Sequence, residues 1–169
     1  ATKDGLMKKT TLESYSRPRA NGIIALGLRE GDRLIRVTLT DGKSQMLVAS
    51  YNGKVVRFPE DTVRPMGRTA TGVRAIKLDE DGKDRVVGMI CVEEGSQDTV
   101  LVISEKGYGK RTLLDDENGE PIYRITNRGG KGVKTMNVTD KTGNLIGMEA
   151  VNDDQDLMLI TKSGTAIRM

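Results

Sequence analysis

Apolar residues along this chain fall in short runs rich in Val and Ile, such as "MLVAS" (46–50), "VLVIS" (100–104) and "LMLIT" (157–161). Each run is bounded by turn residues, among them Asp4-Gly5, Asp41-Gly42, Asn52-Gly53 and Asp81-Gly82. Short β-branched runs between glycine turns predict strands. No stretch keeps a 3.6-residue apolar period over three turns, so no long amphipathic helix is expected. Asn-Gly and Asp-Gly predict type I′ hairpins, with positive φ at both central residues. The chain is therefore expected to be all-β.

The pattern also repeats. The turn glycines Gly5, Gly53, Gly107 and Gly164 lie 48, 54 and 57 residues apart. In phase with them come three Gly-containing connections: "SRPRANGIIALGL" (16–28), "MGRTATGVRAIKL" (66–78) and "TNRGGKGVKTMNV" (126–138). Gly22, Gly72 and Gly132 occupy the same place in each. A third set of strands follows at 32–39, 84–92 and 143–151. A period of about 50 residues fits the blades of a propeller-like fold. The repeats are expected at 1–50, 51–104 and 105–161, with 162–169 opening a further blade. A closed ring normally takes four or more units, and three would leave unpaired strand edges. The expectation is a piece of a longer protein.

Composition narrows the chemistry. Apolar residues make up 36% of the 169, with one Phe, four Tyr and no Trp, so Val, Ile, Leu and Met must fill the core. Cys91 is the only cysteine; it cannot form an internal disulfide and is expected as a core thiol in a reducing, cytosolic setting. No apolar run approaches 18 residues, so no membrane span is expected. There is no His. That excludes Ser-His-Asp and Cys-His nucleophilic sites and the usual zinc sites, and no Walker loop is present.

Net charge is only +3, but it is segregated. The front of each repeat, from the turn glycine to the end of the connection (5–28, 53–78, 107–138), holds sixteen basic and seven acidic residues. The remaining parts (29–50, 79–104, 139–161) hold seven basic and fifteen acidic. In a radial repeat equivalent positions reach one rim, so the front parts predict a basic belt, the footprint of a phosphate backbone. The fourth residue after each turn glycine is basic: Lys9, Arg57, Arg111 and Arg168. Lys8 and Lys110 add a cation one place earlier. The connections supply Arg17, Arg19, Arg64, Arg68, Arg128 and Lys131, where nearby glycines let backbone N–H groups approach an anion.

These residues carry a family resemblance. "GLMKKTTL", "SRPRANGIIAL", "GKVVRF", "RPMGRTATGVRAIKL", "NGEPIYRITNRGGKGV" and above all "GYGKRT" resemble, in order along the whole chain, the C-terminal domain of the DNA gyrase A subunit. The resemblance implies a β-pinwheel of four-stranded blades that exchange strands with their neighbours. It implies binding and wrapping of double-stranded DNA on a basic rim, in support of ATP-dependent negative supercoiling by the whole bacterial enzyme, a type II topoisomerase (an isomerase). The fragment itself would be non-catalytic: the cleavage tyrosine lies in another domain, and ATP and Mg²⁺ are used elsewhere in the parent enzyme. Partners would be DNA, the remaining blades and cleavage core of the same subunit, and the gyrase B subunit, in the cytoplasm at the nucleoid. The family's glutamine-containing signature box would precede Ala1. "NRGGKGV" (127–133) is similar but sits in a later repeat and has Asn127 in place of the glutamine.

Two alternatives stand beside this reading. One is the related C-terminal domain of the topoisomerase IV A subunit. The other is a protein-docking propeller that uses its acidic parts. Single-strand binding would need stacking aromatics that Phe58 and Tyr108 alone do not provide.

Overall fold

The computed structural model describes residues 1–169. It contains eleven strands and no helix beyond two 3₁₀ turns, Leu12–Tyr15 and Glu60–Thr62. The strands are β1 (Leu6–Met7), β2 (Gln45–Ser50), β3 (Lys54–Pro59), β4 (Val73–Arg74), β5 (Val86–Val92), β6 (Thr99–Ser104), β7 (Gly109–Thr112), β8 (Val133–Lys134), β9 (Leu145–Val151), β10 (Met158–Ile160) and β11 (Ala166–Arg168).

The hairpins turn at the expected glycines but not with the expected turn. Only glycines have positive φ, so Asp4 and Asn52 do not adopt the type I′ conformation. In the β2–β3 hairpin a three-residue loop, 51–53, closes with the Gly53 N–H donating to Ser50 O at 3.0 Å. Gly107 and Gly164 repeat this bond onto Ser104 and Thr161, and Gly5 onto Thr2. This is the form in which only the last loop residue is left-handed. Gly53 has φ +80°, and a Cβ there would stand 2.6 Å from Met136 O of the next repeat. Glycine thus serves both the turn and the seam between repeats.

The most complete blade is a four-stranded antiparallel sheet in the order β5-β2-β3-β8. β8 comes from the connection of the following repeat and pairs Lys54↔Lys134 and Val55↔Val133. β4 is lent backwards in the same way, pairing Leu6↔Arg74 and Met7↔Val73 with β1. Strand exchange between neighbours is therefore present at two seams. It depends on close backbone approach: a Cβ on Gly132 would lie 2.3 Å from Val55 O, and one on Gly72 would lie 2.3 Å from Met7 O. The third blade is β7-β6-β9, and β10–β11 form a separate hairpin.

β2 is buried on both faces, which explains its unbroken apolar run. Leu47 and Ala49 enter one core with Val55, Val100, Val102, Tyr123 and Leu145. Met46 and Val48 enter a second core with Met7, Val56, Phe58, Ile76 and Val86. The second blade is thus sandwiched between its neighbours.

Two expected strands differ. The run at 32–39 forms one bridge, Thr2↔Leu34, and leaves Val37 and Leu39 exposed. In the second blade β2 lies between β3 and β5; here only Ala1 and Thr2 occupy that place. The last run forms β10, paired with β11 as expected, but Met158 and Ile160 are exposed because no blade packs over them. Cys91 is half-buried beside the second core, and burial raises its thiol pKa.

Candidate nucleic-acid interface

The cations four residues past the turn glycines are engaged to different depths: Arg57 is buried and Lys9 half-buried, whereas Arg111 and Arg168 keep exposed side chains. Each of the four meets a carboxylate. Lys9 Nζ lies 3.7 Å from the buried Glu60, and Arg57 Nη1 lies 3.0 Å from Asp115. Arg111 Nη1 lies 2.6 Å from Asp153, and Arg168 pairs with Asp156. Three also donate Nε to the side chain twelve positions earlier: Arg57 to Gln45, Arg111 to Thr99 and Arg168 to Asp156. The matched hairpin registers, Leu47↔Arg57, Leu101↔Arg111 and Met158↔Arg168, place each arginine over the same neighbour.

Arg57 departs furthest from the expected rim. Its side chain is 6% exposed, and Nη1 also donates to Leu114 O at 3.3 Å and Tyr123 O at 3.2 Å. A buried guanidinium with these acceptors is satisfied where it stands and has no donor fan turned to solvent. Lys8 is also drawn inward. Its Nζ donates to Ala25 O at 2.7 Å, Gly67 O at 3.0 Å and Arg68 O. Burial, and then the Arg68 guanidinium, hold its pKa below the usual lysine value. Lys110 is exposed, with only a long 3.4 Å bond to Thr135 O.

The connection cations present the opposite picture. Arg17, Arg19, Arg64 and Lys131 are exposed, Arg68 and Arg128 are half-buried, and none of the six forms an ion pair. The connections themselves lie side by side. The Arg68 Nη1 donates to Ile24 O at 2.8 Å, and the equivalent Arg128 Nη1 donates to Arg74 O at 3.4 Å. The Gly27 N–H donates to Ala70 O, the Gly129 N–H to Ala75 O, and the Lys77 N–H to Gly130 O. One ribbon of backbone therefore runs from 24–27 through 68–77 to 128–134.

Four further members of this surface emerge only in the structure. Arg74, Lys77, Arg124 and Lys134 are exposed on the same connections and also form no ion pair. The in-phase pairs Arg74/Lys134 and Arg64/Arg124 are the signal in the sequence for three of them; Lys77 has no basic counterpart.

The acidic parts have structural employment at the hairpin turns. Asn52 Nδ2 donates to Asp79 and Asp81, and the Asn52 N–H donates to Asp84. Asn52, with the backbone N–H groups of Lys83 and Asp84, holds the Asp81 carboxyl down to about 2. The Lys54 ammonium, then Asn52, lowers Asp79. In the first blade the Asp4 N–H donates to Asp32, the equivalent of Asp84. No group of three or more His, Cys, Asp or Glu side chains is arranged to hold a metal ion. No helix is long and apolar enough to cross a membrane.

Known proteins share this architecture. The family model described as the DNA gyrase C-terminal domain, a beta-propeller, matches residues 1–41, 45–93, 98–152 and 155–169. The A subunit of DNA gyrase from Staphylococcus aureus, strains MRSA252 and NCTC 8325 alike, is 46% identical over all 169 residues. The chain spans 18% of the length of those relatives. A crystal structure of the C-terminal domain of DNA topoisomerase IV superposes with a TM-score of 0.87 at 22% identity, over 100% of this chain and 50% of that one. A structure of the DNA gyrase A C-terminal domain gives 0.79 at 24% identity, over 99% of this chain and 53% of that one. These two likenesses speak for the fold. With 46% identity to gyrase A and the family model matched along nearly its whole length, the chain belongs to the DNA gyrase C-terminal-domain family of β-propellers.

Proposed function

We propose that the ribbon of connections is a track for the phosphate backbone of double-stranded DNA, and that the chain serves as a non-catalytic wrapping element of a gyrase A protein. The observation that carries this reading is the run of connection cations without carboxylate partners along adjacent, hydrogen-bonded backbone. Arg17, Arg19, Arg64, Arg68, Arg74, Lys77, Arg124, Arg128, Lys131 and Lys134 are the residues assigned to it, with the exposed Lys110 of β7 beside them. Phosphate contacts position a duplex without reading its sequence, so binding is sequence-tolerant. Bending 20–30 bp costs on the order of 1–6 kcal/mol, so several blades must contribute before a wrap holds. In the whole subunit this track would deliver a DNA segment to the cleavage core. The core and the gyrase B subunit would supply strand passage, ATP use and Mg²⁺, in the bacterial cytoplasm.

Identity to gyrase A favours this over a topoisomerase IV subunit. The engagement of Asp32, Asp79, Asp81 and Asp84 in fastening turns leaves the protein-docking reading with less free acidic surface. The test is duplex affinity across a salt series, with a bending readout on long DNA. Each neutralised phosphate should contribute a slope of about −0.9 in log affinity against log salt. A slope of several such units, equal for unrelated sequences, supports the track. Salt-independent or sequence-selective binding refutes it.

A further inference from the structure

Successive connections are tied by the same two bonds at both crossings. The N–H five residues past one connection glycine donates to the carbonyl two residues before the next: Gly27 N–H to Ala70 O at 3.2 Å, and Lys77 N–H to Gly130 O at 2.8 Å. The arginine four residues before the later glycine reaches back the other way. Arg68 Nη1 donates to Ile24 O at 2.8 Å and Arg128 Nη1 to Arg74 O at 3.4 Å, each carbonyl lying two residues past the earlier glycine. Arg128 Nε also donates to Thr62 O at 3.0 Å. Both side chains are half-buried, whereas Arg17, Arg19 and Lys131 stand exposed.

Each of the two guanidiniums is held on one edge and has donors left over: Nε and Nη2 on Arg68, Nη2 on Arg128. Carbonyls orient a guanidinium without neutralising it, and neither arginine meets a carboxylate. At the first crossing a second cation stands close by. Lys8 Nζ donates to Ala25 O, Gly67 O and Arg68 O, and burial and then the Arg68 guanidinium lower its pKa. A cation pair without a counter-charge is relieved by an anion.

We infer that Arg68 and Arg128 set the bend of the DNA: each is a phosphate contact braced across two connections, so that the angle between those connections is passed on to the duplex. The inference rests on the proposed DNA track and deepens it. A cation on a free side chain follows a phosphate wherever the duplex carries it. A braced one holds the phosphate in place, and only contacts fixed relative to one another can oppose the stiffness of the duplex. Arginine suits the task because its planar fork can give one nitrogen to a carbonyl and another to a phosphate, whereas an ammonium is a point charge on a flexible stem.

The experiment uses the full-length protein carrying this sequence. Duplexes of about 20 bp report affinity across a salt series, and end-labelled duplexes of about 150 bp report bending by energy transfer. In Arg68→Ala/Arg128→Ala the slope should flatten by about 1.8 and the bending signal should fall. In Arg68→Lys/Arg128→Lys both charges remain, so the slope should match wild type while the bending signal falls by about half or more. Arg29→Lys/Arg33→Lys, on exposed side chains outside the ribbon, controls for the arginine-to-lysine exchange and should leave both readings as in wild type. A lysine pair that bends DNA as wild type does overturns the inference, because charge alone then suffices. An alanine pair with an unchanged slope overturns it as well, since the two arginines would then fasten the connections without touching phosphate. Failure of the track itself is read separately, from a wild-type protein that shows no salt slope, and the inference would fall with it.

Discussion

Two sets of basic residues recur in step with the repeat, yet the structure puts them to different use. The cations after the turn glycines each pair with a carboxylate: Glu60, Asp115, Asp153 and Asp156. The connection cations pair with none; two of them, Arg68 and Arg128, lean instead on neighbouring carbonyls. Periodicity alone does not separate a ligand surface from a seam, because a seam repeats as faithfully as a surface does. What separates them is neutralisation. A cation matched by a fixed carboxylate contributes little field to solvent, whereas an unmatched one attracts polyanions.

This contrast can be broken most severely at Arg57. Removing a buried, multiply bonded guanidinium strands Asp115, Leu114 O and Tyr123 O, and Arg57→Ala should cost about 3 kcal/mol or more. For a domain of this size that lowers the melting temperature by roughly 6–12 °C. Calorimetry or thermal circular dichroism on the full-length protein would measure it; a shift below about 2 °C would mean that the internal bonds carry little.

The seam can be probed next without touching a charge. Gly132→Ala places a methyl group 2.3 Å from Val55 O at φ +75°. The backbone must then withdraw, β8 should detach from β3, and stability should fall by at least about 2 kcal/mol. Gly119→Ala has open space at a similar φ of +78° and serves as the control, reporting backbone strain alone.

The connection set should respond in affinity instead. Arg19→Ala with Lys131→Ala removes two exposed cations that form no ion pair. The double change should flatten the salt slope by about 1.8 while shifting stability by no more than about 0.5 kcal/mol.

The smallest effect concerns acid. Asp81, held down to about 2, and Asp79, also lowered, fasten the turn at Asn52. Both carboxyls are depressed in the fold, so their contribution is complete above the ordinary range near ~4 and is lost as pH falls through the folded values. Asn52→Ala removes the main cause at Asp81. Denaturant titrations at about pH 5 and about pH 2.5 should show a smaller acid-induced loss of stability in Asn52→Ala than in wild type.

The frame of the molecule is legible in the sequence. The Val- and Ile-rich runs at 46–50 and 100–104 are strands, the turn glycines sit at hairpins, and Gly72 and Gly132 hold equivalent places because exchange requires a backbone without a Cβ. Strand exchange itself is implied only by the family resemblance, since β4 and β8 are two residues long and carry no period of their own. Arg57 is expected on the rim and found in a seam because its carboxylate, Asp115, lies 58 residues away in the next repeat. Nothing local in "GKVVRF" distinguishes an arginine that faces a neighbouring blade from one that faces water. Arg74, Arg124 and Lys134 do have in-phase counterparts around Gly72 and Gly132, as Arg68 and Arg128 do, but their position on the ribbon is fixed by strand exchange that the sequence does not spell out, and Lys77 has no basic counterpart at all.

The most direct measurement is a side-by-side salt titration of duplex affinity in the full-length protein, comparing Arg19→Ala/Lys131→Ala with Arg111→Ala. The slope should flatten by about 1.8 in the connection variant and stay unchanged in Arg111→Ala. The reverse pattern, with Arg111→Ala flattening the slope and the connection variant matching wild type, would contradict this division of the two sets.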